Sequence, residues 1–173
     1  KKRNRYIAPD AAAVIIDQLP PSVLSVAVVV NESLETLCEY VQIFDFIQLH
    51  GDESPEVCRA LDGKAFKAFQ VKPGMALRDI EKYSCDCCLL DAWTPDSRGG
   101  IGKVCDWEFA AQVAAAKSVI LAGGLTPENV EDAIRRVQPY GVDASSSLEA
   151  APGKKDHERI RSFINNARKA SVA

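Results

Sequence analysis

Short apolar runs and amphipathic stretches follow one another in strict rotation along this chain, and that order restricts its fold more than any other feature. Pro9–Leu19 sets Ala12, Ile15, Ile16 and Leu19 at helical spacing, with Pro9 suited to the first turn and Pro20-Pro21 unable to continue it. Leu24–Val30 is β-branched and apolar nearly throughout, as a parallel strand covered on both faces should be. A helix with Leu34, Leu37, Cys38 and Val41 on one face comes next. The couplet then repeats: strand Phe46–Leu49, a helix from Ser54 with Pro55 at its first position, strand Ala65–Val71, helix Met75–Tyr83 and strand Cys87–Leu90. After a long loop, Asp106 stands as the N-cap of a helix over Trp107–Ala116. Strand Ser118–Leu121, a helix opened by Thr126-Pro127 and running to Val137, strand Val142–Ala144 and a helix carrying Ile160, Phe163, Ile164 and Ala167 complete the series.

Six strands alternating with seven helices imply parallel pairing through right-handed crossovers, hence an open doubly wound sheet or a closed barrel. Glycine placement favours the barrel. No G-x-G-x-x-G follows an early strand, and Gly99-Gly100-Ile101-Gly102-Lys103-Val104 fails the Walker spacing, since position 97 is serine and Val104 stands where Ser or Thr is needed. Glycines gather instead at 99, 100 and 102, at 123 and 124, and at 153, after the last three strands, where barrel enzymes build a phosphate site from the final loops. The expected fold is α/β, of the TIM (β/α)8 barrel family. A complete barrel takes roughly 200 residues or more. With 173 residues and about six of the eight strands, residues 1–173 are expected to be a single, N-terminally incomplete barrel domain, two strands and a helix preceding Lys1. Open parallel edges would then make it unstable or self-associating.

The 21 basic and 24 acidic residues sum to −3, and with the basic residues scattered and 7% aromatics there is no electrostatic footprint for nucleic acid. Runs such as Val23–Val30 fall far short of the ~20 residues that cross a bilayer. The charged start Lys1-Lys2-Arg3-Asn4-Arg5 has no apolar core behind it, so neither a membrane nor a secretion signal is expected. Six cysteines read as free thiols of a cytoplasmic protein, with Cys87 and Cys88 in an apolar run and Cys38 on the apolar side of a helix. Cys85-Asp86-Cys87-Cys88 contains a C-x-x-C spacing, yet no second pair or nearby histidine completes a metal site, and none is expected.

Asp91 ends the run Cys88-Leu89-Leu90-Asp91 and belongs at the C-terminal mouth of a strand, where barrel enzymes keep catalytic groups. Desolvation at an apolar rim disfavours the ionised carboxyl and suits it to general-acid work; a cap or loop hydrogen bond is the structural alternative. Leu121–Pro127 is a strand end, two glycines and a capped helix start, so Gly123 and Gly124 offer either close backbone approach to an anion or an ordinary tight turn. Asp143-Ala144-Ser145-Ser146-Ser147 is an oxyanion nest or a polar loop end. Arg5 presents a planar fork to a carboxylate or is solvated. His50, closing Gln48-Leu49-His50-Gly51, is a site group or a satisfied structural one, and Lys103 meets a phosphate or lies on the surface.

Val30-Asn31-Glu32, Gln48-Leu49-His50-Gly51, Leu89-Leu90-Asp91, Gly99-Gly100-Ile101-Gly102-Lys103 with Asp106-Trp107, Leu121–Val130, Val142-Asp143-Ala144-Ser145-Ser146 with Glu149, and Pro152-Gly153-Lys154-Lys155-Asp156-His157 together resemble phosphoribosylanthranilate isomerase along essentially the whole chain. The resemblance implies a cofactor-free (β/α)8 barrel of tryptophan biosynthesis. Its reaction is the Amadori rearrangement of N-(5-phosphoribosyl)anthranilate to 1-(2-carboxyphenylamino)-1-deoxyribulose 5-phosphate. By the same resemblance Asp91 is the general acid that protonates the furanose ring oxygen. Arg5 faces the anthranilate carboxylate, and Gly123, Gly124, Ser145 and Ser146 cradle the phosphate. His50 and Asp143 stand at the mouth. The implied partner is a small phosphosugar, with a second copy of the chain or a fused neighbouring pathway enzyme left open.

Three departures bear on this resemblance. The family's general base is a cysteine in a Lys-Ile-Cys-Gly segment, and none of the six cysteines stands in one, so the 173 residues alone are expected to lack that base. Ser147 replaces a glycine after the two serines, and Val104-Cys105 replaces Thr-Phe before Asp106-Trp107. The alternatives are a non-catalytic phosphosugar-binding or assembly subunit derived from this barrel, or another phosphate-binding barrel isomerase or epimerase.

Overall fold

The computed structural model describes residues 5–93 and 104–171. They fall into two compact units, one holding the chain up to Ala68 with Glu81–Asp86, the other Phe69–Ile80 and the chain from Cys87 onward. The first unit contains α1 (Pro9–Ile16), β1 (Val26–Val29), α2 (Leu34–Tyr40), β2 (Phe46–Leu49), α3 (Pro55–Ala60) and the start of β3 (Ala65–Val71). Its strands pair in parallel in chain order, Val26 opposite Phe46 and Ile47 opposite Ala65. Ala27, Val29, Leu37, Ile47, Leu49, Cys58 and Leu61 bury one core between strands and helices. Removing such side chains from water is worth about 1.5–3 kcal/mol for each Val, Leu or Ile.

Three expectations for this unit are corrected. β1 alternates: Ala27 and Val29 join the core, whereas Val26 and Val28 are 42% and 62% exposed. The strand closes the strand order and pairs with β2 alone among the described residues, and only the face that carries Ala27 and Val29 meets the core. Cys38 is exposed, because α2 turns only Leu37 fully inward and leaves Leu34 at its rim. Helix α1 stops at Ile16, and of its expected stripe only Ala12 is buried.

The second unit takes the end of β3, α4 (Leu77–Glu81) as far as Ile80, β4 (Cys87–Ala92), α5 (Trp107–Ala114), β5 (Ser118–Leu121), α6 (Val130–Val137), β6 (Gly141–Val142), a hairpin of β7 (Glu149–Ala151) and β8 (Lys154–Lys155), and α7 (His157–Ser171). β4, β5 and β6 are parallel, with Leu90 opposite Leu121 and Leu121 opposite Val142. Helix starts differ from the periodic pattern where a side chain caps a turn first. The Ala76 amide donates to Asp79 Oδ2 at 3.1 Å, and α4 begins after it. Thr126 Oγ1 accepts from the Glu128 amide and Asn129 Oδ1 from the Thr126 amide, so residues 126–129 form a turn and α6 begins at Val130. The β7–β8 hairpin turns at Pro152-Gly153, a dipeptide that carries the signal, with Gly153 at φ 80°.

Asp106 caps α5 as expected, its Oδ1 accepting from the Glu108 and Phe109 amides at 3.1 Å each. Asp106→Ala is expected to cost about 1 kcal/mol and to lower the melting temperature by about 2–4 °C. A thermal melt superimposable on that of the parent would contradict it. None of the six cysteines forms a disulfide, and no described helix is long and apolar enough to cross a membrane.

Candidate active site

β4 runs two residues farther than its apolar core suggests, so Asp91 lies within the strand and only 8% of its surface is exposed. Its Oδ1 accepts the Ala92 amide at 2.8 Å. On the adjoining strand the Ala122 amide donates to Leu90 O at 2.8 Å, and the chain then turns at Gly123 and Gly124, at φ 80° and 67°. A Cβ at position 123 would stand 2.4 Å from the Ala92 backbone nitrogen. Only glycine permits so close an approach, and it seats this loop on the residue that follows Asp91. One strand farther, the Asp143 amide donates to Leu121 O at 2.8 Å. Asp91, Gly123-Gly124 and Asp143–Ser146 are thus gathered at the C-terminal ends of three successive strands of one unit.

The loop's carbonyls are turned onto protein donors. Gly123 O accepts the Cys105 amide at 3.3 Å and Gly124 O the Asn129 side chain at 3.0 Å. In a trans peptide the following N–H points opposite to the carbonyl, so the Gly124 and Leu125 amides are directed away from those partners. Lys155, to which sequence alone assigns no separate role, adds a cation to the next loop, donating to Ser145 O at 2.8 Å and pairing with Glu149 at 3.3 Å. Sequence signals for it were weak, since its partner lies ten residues back across a hairpin. The Ser147 Oγ donates to Leu125 O, so its proton is engaged by the loop backbone.

Cys105 is the cysteine beside Asp91. Burial, with the Asp91 and Asp106 carboxylates adding to it, pushes its thiol up to about 12, so it stays protonated at neutral pH and is no substitute for a thiolate base. Arg5 and His50 belong to the first unit. Arg5 is exposed ahead of α1; His50 follows β2, with its amide on Val29 O at 2.9 Å and its Nδ1 2.7 Å from Gln48 Nε2. Lys103 and the glycines at 99, 100 and 102 lie outside the described residues. Among the described residues no three His, Cys, Asp or Glu side chains are grouped to hold a metal ion.

The sequence model of the N-(5'-phosphoribosyl)anthranilate (PRA) isomerase family matches residues 1–166. The chain belongs to this family. It is 44% identical over 173 residues to the N-(5'-phosphoribosyl)anthranilate isomerase of Trichlorobacter lovleyi, covering 98% of this chain and 84% of that one. The crystal structure of the Thermotoga maritima isomerase superposes with a TM-score of 0.82 at 40% identity, over 97% of this chain and 84% of that one. A phosphoribosylanthranilate isomerase solved with reduced 1-(o-carboxyphenylamino)-1-deoxyribulose 5-phosphate gives a TM-score of 0.78 at 38% identity, over 97% and 83%. The parallel βα alternation of PRA isomerase, a TIM (β/α)8 barrel family, is the fold of this chain, and the described residues hold six of its strands.

Proposed function

We infer that this member of the PRA isomerase family, an isomerase of tryptophan biosynthesis, holds the phosphate of N-(5'-phosphoribosyl)anthranilate at the ends of β5 and β6 and opens the sugar with a proton from Asp91. The observation carrying the assignment is the Gly123 approach to Ala92, which fastens an anion-suited loop to the residue after the acid. In the reaction Asp91 gives its proton to the furanose ring oxygen, the C1–O bond breaks, and nitrogen lone-pair donation forms the Schiff base. A base then takes the C2 proton, and the resulting enolamine ketonises to the deoxyribulose. Protons and electrons are only redistributed within the substrate, so the chemistry calls for no cofactor. Arg5 is assigned to the anthranilate carboxylate, and His50 and Asp143 to the mouth; residues 1–173 belong to a single barrel domain of a cytoplasmic protein.

The phosphate assignment is tested by displacement. Inorganic phosphate or sulfate at millimolar concentration should displace reduced 1-(o-carboxyphenylamino)-1-deoxyribulose 5-phosphate from the chain, followed by calorimetry. Unaltered affinity in 50-fold excess of either anion over its expected ~1 mM dissociation constant would remove Gly124 and Ser146 from the cradle.

A further inference from the structure

The side chain of Lys67, in β3 and 3% exposed, brackets His50. Its Nζ donates to Leu49 O at 3.1 Å and to Gly51 O at 2.8 Å, the carbonyls on either side of the histidine, and to Ala68 O at 3.0 Å. Three ammonium hydrogens meet three carbonyls, and the Glu53 carboxylate, 3.4 Å away and equally buried, balances the charge. Glu53 is engaged on its other side by two loops. Its Oε2 accepts the Gly51 amide at 2.9 Å and its Oε1 the Asn31 amide at 2.7 Å. Asn31 is left-handed at φ 56°, and its own Oδ1 accepts the Asp52 amide at 2.6 Å. A Cβ on Gly51 would fall 2.2 Å from Asn31 Oδ1 and 2.6 Å from Glu53 Oε1, so the loop closes on these groups without slack.

A buried ion pair is poor value as a source of stability, since apolar residues of like volume commonly do as well. Here burial pulls the Lys67 amine below its ordinary range while Glu53 acts to restore it. What the pair supplies is direction: both peptide units flanking His50 are fixed by charge-assisted hydrogen bonds. The ring is fixed separately by Gln48 Nε2 at 2.7 Å from Nδ1. We propose that Lys67, acting through Glu53, is a positioning residue that holds His50 for the phosphosugar. This rests on the assignment of His50 to the substrate mouth.

The test is a neutral double variant, Lys67→Met with Glu53→Gln, which leaves no unpaired buried charge. The chain has two histidines, and His157 in the other unit serves as the internal reference. At a temperature where circular dichroism shows the variant folded, the His50 imidazole nitrogen resonances should shift or split while those of His157 stay put. The Asn31 and Gly51 amides should exchange at least tenfold faster, and affinity for reduced 1-(o-carboxyphenylamino)-1-deoxyribulose 5-phosphate should fall at least tenfold. A folded variant with parental His50 resonances and parental exchange at both amides overturns the proposal. If the variant does not fold, exchange in the unaltered chain decides: protection of Asn31 and Gly51 equal to that of β2 supports the clamp, and rates of open loop amides overturn it. Failure of the His50 assignment itself is seen separately, as His50→Asn binding the same ligand with unchanged affinity.

Discussion

Asp91→Asn should lower isomerase turnover by about 10²–10⁴-fold while affinity for reduced 1-(o-carboxyphenylamino)-1-deoxyribulose 5-phosphate stays within about tenfold. The amide is isosteric with the acid, and its Oδ1 can keep the Ala92 amide bond that orients the side chain at 2.8 Å. What it loses is the proton for the departing ring oxygen. At about 1.4 kcal/mol per decade, the loss corresponds to about 3–5 kcal/mol of barrier, felt in the transition state and hardly at all in the ground state. The rate comparison is made in a chain that includes the Lys-Ile-Cys-Gly strand, to which the family resemblance assigns the base for the C2 proton. Parental turnover there would remove Asp91 as the acid. A fall in affinity matching the fall in rate would make it a binding group instead.

Gly123→Ala is the second large effect. The left-handed backbone at φ 80° costs a side chain about 1–2 kcal/mol by itself. The new Cβ must also displace the Ala92 amide nitrogen, 2.4 Å away, which belongs to a strand backbone and has no rotamer by which to yield. A total of about 2–4 kcal/mol is expected, with phosphate competition weakened at least tenfold as the loop lifts from β4. Gly63→Ala is the control. Position 63 has φ 76° and nothing within 4 Å of its Cβ, so it carries the strain without the clash. Equal losses of melting temperature in the two variants would show that the approach to Ala92 contributes nothing.

The element order was legible because it is written locally. β-branched apolar runs and helical spacing need no distant partner, and among the described residues the strands and helices alternate in the order that patterning gives, with several of their ends shifted. Boundaries were less legible, for a stated chemical reason: Asp79 and Asn129 cap turns with their own side chains and delay the helices that follow. Within the site, the strand-end position of Asp91 and the turn at Gly123-Gly124 could be read from an apolar run and a dipeptide. Lys155 and Lys67 could not, since each finds its acceptors across a hairpin or on another strand, and a lysine in a strand pattern has no signature of burial.

By itself the sequence determined the alternation of strands and helices, the carboxyl at the end of β4 and the pair of glycines after β5, because period, caps and turns act over a few residues. Tertiary structure alone decided that Gly123 touches Ala92, that the Cys105 thiol stays protonated beside Asp91, that one face of β1 is exposed, and that Lys67 spans both sides of His50. Each depends on groups far apart in the chain meeting at distances of a few ångströms, where desolvation and van der Waals exclusion operate and one-dimensional patterning carries no information.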